Sequence, residues 1–203
     1  MLKKLKIEFS LLDLLIASIL FVATIHCGSQ ATSPVLRSAE ELTEEGWQAF
    51  ESGDFALAVT KFDSAVISDS NFVDAFNGAG WSYAQLGEFS TAIEKFETAI
   101  ALDSNLIEVH AGASLVYHAL NQFIESINEA NITLETEPEF VFSHDPSINA
   151  LDIRITLALS YFSIADFINA AIQMDIIDPV NSPHSTDPDE LIREIMRFFG
   201  QIR

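Results

Sequence analysis

The chain has 203 residues, of which 49% are hydrophobic, and this is enough apolar material for one domain with a substantial core. It contains 30 acidic and 10 basic residues, and the formal net charge of -20 at pH 7 would repel nucleic-acid phosphates, so we expect no nucleic-acid partner. A single cysteine excludes an internal disulfide framework and any metal site built from several thiolates.

The amino-terminal segment has the layout of a secretory signal. Three lysines lie within the first six residues, and a predominantly apolar run without any charged residue extends from Leu14 to Ile25 before small and polar residues begin. The run is shorter than the roughly 20 residues that a membrane-spanning helix needs. We therefore predict that residues 1–26 are a signal peptide.

Cys27 follows this segment directly, and residues 27–38 are mostly small and polar, which predicts a flexible tether. The arrangement resembles a bacterial lipoprotein signal, in which the cysteine becomes the lipidated first residue of the mature chain. In that family Leu usually stands three residues before the cysteine and a small residue directly before it, whereas this chain has Thr24 and His26 there. The alternatives are cleavage after Ala31 without lipidation, an uncleaved helix, or an incidental buried cysteine.

Two nearly identical stretches stand 34 residues apart. The stretch from Gly53 to Asn71 reads GDFALAVTKFDSAVISDSN, and the stretch from Gly87 to Asn105 reads GEFSTAIEKFETAIALDSN. In both, Phe, Ala, Phe and Ala recur at the three- and four-residue spacing that places them on one face of a helix. A fixed period in the thirties with such a helix in each copy predicts a stacked array of helical units.

A third, weaker copy follows at the same interval. Tyr117 and Phe123 stand where the second copy has Tyr83 and Phe89. Pro138 ends the copy, because proline lacks the amide hydrogen and clashes with the preceding helical turn.

A fourth copy fits the period only after an insertion of about ten residues, VFSHDPSINA. With that shift, Tyr161 and Phe167 take the aromatic positions. Asp145 followed by Pro146 is a favourable helix start, so we predict that the first helix of this copy is lengthened to roughly Pro146–Ser163.

The last stretch, TDPDELIREIMRFFGQIR, opens with the helix-start residues Asp187, Pro188 and Glu190. It predicts one amphipathic helix over residues 187–203. A single helix at the end of an array covers the apolar face that the last unit would otherwise expose.

Together these residues resemble the tetratricopeptide repeat family, whose 34-residue units are two antiparallel helices with small and aromatic residues at fixed positions. The resemblance implies an all-α fold, a right-handed helical-hairpin solenoid of about four units plus a C-terminal capping helix. The units would occupy residues 39–72, 73–106, 107–140 and 141–184, the last with the insertion. The fullest match is given by Gly80, Tyr83, Gly87, Phe89, Ala92, Phe96 and Ala99.

The resemblance also implies binding rather than chemistry, since the first helices of such units line a concave side on which partner peptides lie. Trp47 and Trp81 stand one position after Gly46 and Gly80, about 100° around the helix from the stripe that packs inside the unit. We predict that these tryptophans are partly exposed in the free protein and belong to a partner-binding groove. The alternative interpretation is that they wedge between adjacent units as core residues. The predicted groove residues are Trp47, Phe50, Trp81, Leu115, His118, Leu159 and Phe162.

The expected ligand of this groove is an apolar peptide or an amphipathic helix. Units that grip a carboxylate-ended peptide use Lys, Arg and Asn, but the corresponding positions here are Thr43, Asn77, Ala111 and Ile155, so a carboxylate clamp is not expected. Asp74, Glu108 and Asp152 recur near the starts of the first helices, and they would tolerate a partner with flanking lysines.

The sequence contains no HExxH motif, glycine-rich phosphate loop or serine elbow, so we predict no enzyme, no catalytic residue, no metal and no cofactor. The predicted function is a non-enzymatic interaction module, a scaffold or adaptor for a protein or peptide partner. It would be tethered to a bacterial membrane by lipid on Cys27 and face the periplasm or the exterior. The alternative is a secreted or periplasmic capture or carrier protein that holds a small apolar ligand in the groove.

Replacing Cys27 with Ala should leave a longer, unprocessed precursor and abolish labelling by a fatty-acid analogue, because alanine has no thiol to acylate. Gel mobility and label incorporation in bacterial cells measure both effects, and Ser33→Ala is the matched control that should keep the label. A wild-type chain that incorporates no label would rule lipidation out.

Overall fold

The structure is a computed structural model that describes residues 37–200. The predicted signal peptide, Cys27 and most of the predicted tether lie outside the described residues. No helix in the described part is long and apolar enough to cross a membrane.

The described residues form nine helices and one isolated bridge between Val141 and Asn149, which confirms the predicted all-α fold for this part of the chain. In chain order the helices are α1 (Ala39–Glu51), α2 (Phe55–Ser68), α3 (Val73–Gln85), α4 (Phe89–Leu102), α5 (Ile107–Ala119), α6 (Phe123–Thr136), α7 (Ala150–Ser163), α8 (Phe167–Ile177) and α9 (Pro188–Phe199).

Consecutive helices pack as four pairs, α1 with α2, α3 with α4, α5 with α6 and α7 with α8. The first helices of neighbouring pairs also contact one another, whereas the second helices make no such contacts within residues 37–200. The first helices therefore line the inner, concave face of the array. At the carboxyl end, α9 packs on α7 and α8 and buries Leu191 and Ile195.

The repeated phenylalanine holds neighbouring units in register. The fully buried ring of Phe62 lies between Gly46 of its own unit and Gly78 of the next, where an added Cβ would come within 2.6 Å and 2.2 Å of the ring. Phe96 repeats the arrangement between Gly80 and Gly112. Because real Cβ contacts are never this short, the glycines provide the space that the ring needs.

The third unit replaces this wedge with hydrogen bonds, because Ala130 stands where the first two units have phenylalanine. Ser126 Oγ donates to the Ser114 carbonyl over 2.9 Å and lies 3.0 Å from Ser160 Oγ. All three serines are fully buried, so these hydrogen bonds join α5, α6 and α7 inside the core.

The turns inside the helix pairs use left-handed backbone. The φ angle is 81° at Gly53 and 77° at Gly87, where glycine carries no steric penalty. The corresponding turns of the third and fourth units place Asn121 at 60° and Ala165 at 61°. The third and fourth units therefore keep the left-handed turn, although a residue other than glycine occupies it.

The prediction that the first helix of the fourth unit begins near Pro146 is wrong, because α7 begins at Ala150. Asn149 caps this helix: its side chain accepts from the Leu151 amide over 3.0 Å, and Asp152 accepts from the Asn149 amide over 2.8 Å. The Asp145 carbonyl instead accepts from the Ile148 amide over 2.9 Å, so Asp-Pro starts a tight turn rather than a helix.

Candidate functional site

The insertion before α7 folds into a short hairpin. The Phe142 amide donates to the Ile148 carbonyl over 2.9 Å, and the Ala150 amide donates to the Phe140 carbonyl over 2.7 Å. Residues 140–150 are called the hairpin below.

One hairpin side chain penetrates the concave face. The ring of Phe142 is fully buried and stacks on Trp81 of α3, with ring centroids 4.1 Å apart and planes inclined by 19°. It also meets Trp47 and Phe50 of α1 edge-on, at 6.0 Å and 5.9 Å. Phe142 thus joins three aromatic side chains of two neighbouring units.

The next two hairpin residues make polar contacts with the same face. Ser143 Oγ donates to Glu108 Oε1 of α5 over 2.6 Å. The ring of His144 lies parallel to Trp47, with centroids 3.7 Å apart, and its Nδ1 is 2.9 Å from Glu51 Oε1. Three consecutive hairpin residues therefore contact three first helices.

The prediction that the tryptophans are partly exposed is wrong. Trp47 is 6% exposed, Phe50 3% and Trp81 2%, because the hairpin folds back over them. We call these three residues the covered half of the predicted groove. Their side chains contact the hairpin on the concave face, and Trp47 also packs on the core ring of Phe62 at 4.9 Å.

The other four predicted groove residues are half-buried, and we call them the open half: Leu115, His118, Leu159 and Phe162. Beside Leu115 lies a cleft of about 170 Å³, which is bordered by Trp81, Phe89 and Ile148. The structure thus divides the predicted groove into an accessible part and a part that the chain itself occupies.

A serine–histidine pair lies next to the open half, with Ser160 Oγ 2.8 Å from His118 Nδ1. Ser160 is fully buried and also hydrogen-bonds Ser126, so its hydroxyl cannot reach a substrate. Burial lowers the pKa of His118, and the ring is therefore neutral near pH 7. The pair connects helices and leaves the open half without charge. In the described residues, no group of three or more His, Cys, Asp or Glu side chains is arranged to hold a metal ion.

The helical array is shared with solved structures, although no protein-family model and no curated protein matches the chain. MamA AMB-1 superposes with a TM-score of 0.61 at 16% identity, over 81% of this chain and 82% of that chain. A tetratricopeptide repeat protein from Parabacteroides merdae gives 0.58 at 17% identity, over 80% of this chain and 60% of that chain. The chain has the tetratricopeptide repeat fold. The first such domain of Spaghetti (RPAP3), bound to the HSP90 peptide SRMEEVD, gives 0.54 at 19% identity, over 63% of this chain and 93% of that chain.

The tetratricopeptide period reveals a hydrogen bond that is made in one unit and missing in the next. Trp47 Nε1 donates to Asp74 Oδ2 over 2.9 Å. Trp81 and Glu108 occupy the same positions one repeat later, yet Trp81 Nε1 is buried and has no partner within residues 37–200. Glu108 instead accepts from Ser143 through one carboxylate oxygen and from Asn77 Nδ2 through the other, over 3.2 Å. At this repeat position of the second unit, the carboxylate therefore accepts from the hairpin and from Asn77 and not from the indole.

The four positions at which a carboxylate clamp would lie are all buried: Thr43, Asn77, Ala111 and Ile155. Asn77 already donates to Glu108, so its amide does not face solvent as a clamp residue would. Thr43 Oγ1 and Asn77 Oδ1 are further buried atoms that have no hydrogen-bond partner in the described part of the chain.

Sequence reasoning missed Phe142, Ser143 and His144 as residues of this site. The insertion itself was visible as a break in the period, and it carries the aromatic residues Phe142 and His144 beside Ser, Asp and Pro. Aromatic residues in such a stretch are the available signal, because a loop in solvent gains nothing from them.

Trp47→Phe and Trp81→Phe should both lower the free energy of unfolding. The loss should be about 1–2 kcal/mol larger for Trp47→Phe than for Trp81→Phe. Both changes remove the same side-chain volume, but only the first breaks a hydrogen bond to a carboxylate, whereas the second removes a donor that has no partner. Urea denaturation of the two variants measures the difference. Equal losses would show that the two indole nitrogens have equivalent surroundings.

Proposed function

We propose that this chain is a non-enzymatic interaction module, a scaffold or adaptor, that docks a peptide segment of a partner protein on its concave face. The observation that carries the proposal is the open half, where Leu115, Leu159 and Phe162 are half-buried on the first helices and Leu115 borders an apolar cleft. The Spaghetti (RPAP3) domain, which has the same fold, is bound to a peptide. The tetratricopeptide fold is thus one on which a peptide can dock.

At the open half, the size of the cleft beside Leu115 favours one side chain of a peptide over an enclosed small molecule. Small-molecule sites usually enclose about 300–1,000 Å³, whereas the cleft beside Leu115 encloses about 170 Å³. A space of this size suits one apolar side chain of a longer segment, and the half-buried column beyond it supplies further contact area.

Charge restricts the class of peptide. The chain carries a net charge of -20, and Asp74 and Glu108 lie on the concave helices. An acidic peptide such as SRMEEVD would be repelled, so we propose that the partner segment is apolar with neutral or basic flanks.

We further propose that the module is held in the cell envelope by lipid on Cys27. Support comes from the sequence alone, from the basic start, the apolar run and the position of the cysteine. A lipidated terminus followed by a polar tether would keep the concave face accessible to partners at a membrane surface.

The proposal is tested with peptides selected from a random library displayed on phage, using the full-length chain as bait. A selected peptide should lose at least about tenfold in affinity for the double variant Leu115→Gln and Leu159→Gln, because two apolar contacts are replaced by polar groups. Ile67→Gln with Ile124→Gln is the matched control, since these isoleucines are 86% and 55% exposed on the second helices. The control should retain the affinity.

Two results would contradict the proposed function. One is a library from which no peptide binds the wild-type chain, and the other is an equal loss of affinity in both double variants. A small apolar molecule that stays bound in native mass spectrometry would favour the carrier alternative.

A further inference from the structure

The hairpin occupies the covered half in the manner of a bound peptide. We infer that this half is a recognition site for an extended partner segment that carries an aromatic residue and, two positions later, a basic residue, and that the hairpin is its internal competitor. The inference rests on the proposed function, since it assigns an occupant to another part of the same concave face.

The contacts that the hairpin makes indicate which residues a partner segment needs in order to replace it. Phe142 supplies a ring between the tryptophans, Ser143 donates a hydroxyl to Glu108, and His144 places a second ring on Trp47 beside Glu51. An extended backbone that presents an aromatic residue at one position and a ring or a cation two positions later would reproduce these contacts.

The docked hairpin leaves the concave face incompletely hydrogen-bonded. Three buried atoms of α1 and α3 have no partner among the described residues: Thr43 Oγ1, Asn77 Oδ1 and Trp81 Nε1. Such atoms are uncommon in folded proteins, because each forfeits the hydrogen bond that it makes in water. When the hairpin departs, Glu108 is released from Ser143 and can accept from Trp81 as Asp74 does from Trp47. On this inference, undocking allows the second unit to form the hydrogen bond that the first unit makes at the same repeat positions.

The polar contacts of the hairpin tip contribute little to its docking. Ser143, Pro146 and Ser147 are exposed, and Glu51, the partner of His144, has a side chain that is 53% exposed. Contacts between polar side chains at such exposure contribute little to stability, because water competes for both partners. The burial of the Phe142 ring is therefore the main contact that holds the tip, and a partner that brings its own aromatic ring can replace it.

Charge around the hairpin tip favours a basic residue in the competitor. An open cleft of about 520 Å³ adjoins His144 and Trp47, and its acidic lining residues are Glu40, Glu44, Glu51 and Asp74. A lysine or arginine at the position of His144 would lie among these carboxylates and over an aromatic surface. The hairpin offers only a histidine there.

The test uses a fluorescein-labelled peptide with the sequence of residues 139–150, EFVFSHDPSINA, and the full-length chain. The peptide should bind the Phe142→Ala chain at least about tenfold more tightly than wild type, because apparent affinity scales with the fraction of chains whose face is open. A peptide with Lys at the His144 position should bind more tightly still. A peptide with Ala at the Phe142 position should not bind.

A second protein variant keeps the inference testable if Phe142→Ala does not fold. Ser143→Ala with His144→Ala retains the Phe142 ring but removes the contacts to Glu108 and Glu51 and the stacking of the His144 ring on Trp47. It should therefore raise peptide affinity, although by less than Phe142→Ala does. The two tryptophans of the chain both contact Phe142, so their fluorescence reports docking in every variant.

Equal affinity of the peptide for all chains, or no binding to variants that retain the wild-type thermal midpoint, would overturn the inference. A wild-type dimer that Phe142→Ala abolishes would also overturn it, since the occupant would then be the hairpin of a second copy. The double variant Leu115→Gln and Leu159→Gln separates this inference from the proposed function. It should lose the phage-selected peptide but still bind the hairpin peptide once Phe142 is also replaced.

Discussion

The stacking of Phe142 on Trp81, together with its edge contacts to Trp47 and Phe50, determines what the concave face presents to solvent. Aromatic side chains each bury about 150–250 Å² and prefer stacked or edge-on arrangements. Without the Phe142 ring, the aromatic side chains of α1 and α3 would form a contiguous apolar patch, which is typical of an interaction site. With the ring in place, the same surface is core and only the open half remains accessible.

The repeat explains why this aromatic surface exists where it does. Phe62 and Phe96 need the space that the glycines on either side provide, and this packing fixes the rotation of α1 and α3 about their axes. Trp47 and Trp81, one position after Gly46 and Gly80, are thereby placed at equivalent points of successive units. A ring inserted from the concave side can touch both, and the hairpin follows the third helix pair closely enough along the chain to supply it.

The helices and the concave column could be predicted from sequence because both depend on local spacing. Glycine, alanine and phenylalanine recur at helical intervals and at a fixed period, so the units and the facing of Trp47 and Trp81 follow from short-range pattern. The path of the insertion could not be predicted in this way. Phe142 lies 61 residues after Trp81, and no periodic pattern records so distant a contact. Asp145-Pro146 is equally suited to starting a helix or a turn, and only the capping by Asn149 and Asp152 decides where α7 begins.

Native-state amide hydrogen exchange tests most directly whether the hairpin is a displaceable occupant of the concave face. The relevant amides are those of Phe142 and Ala150, which donate within the hairpin, compared with amides in the middle of α3 and α5. If the hairpin undocks on its own, its two amides should exchange through a local opening whose free energy is at least about 2 kcal/mol below that of global unfolding. Exchange of the hairpin amides only by global unfolding, at the same free energy as the α3 and α5 amides, would contradict the account and make the hairpin a permanent part of the core.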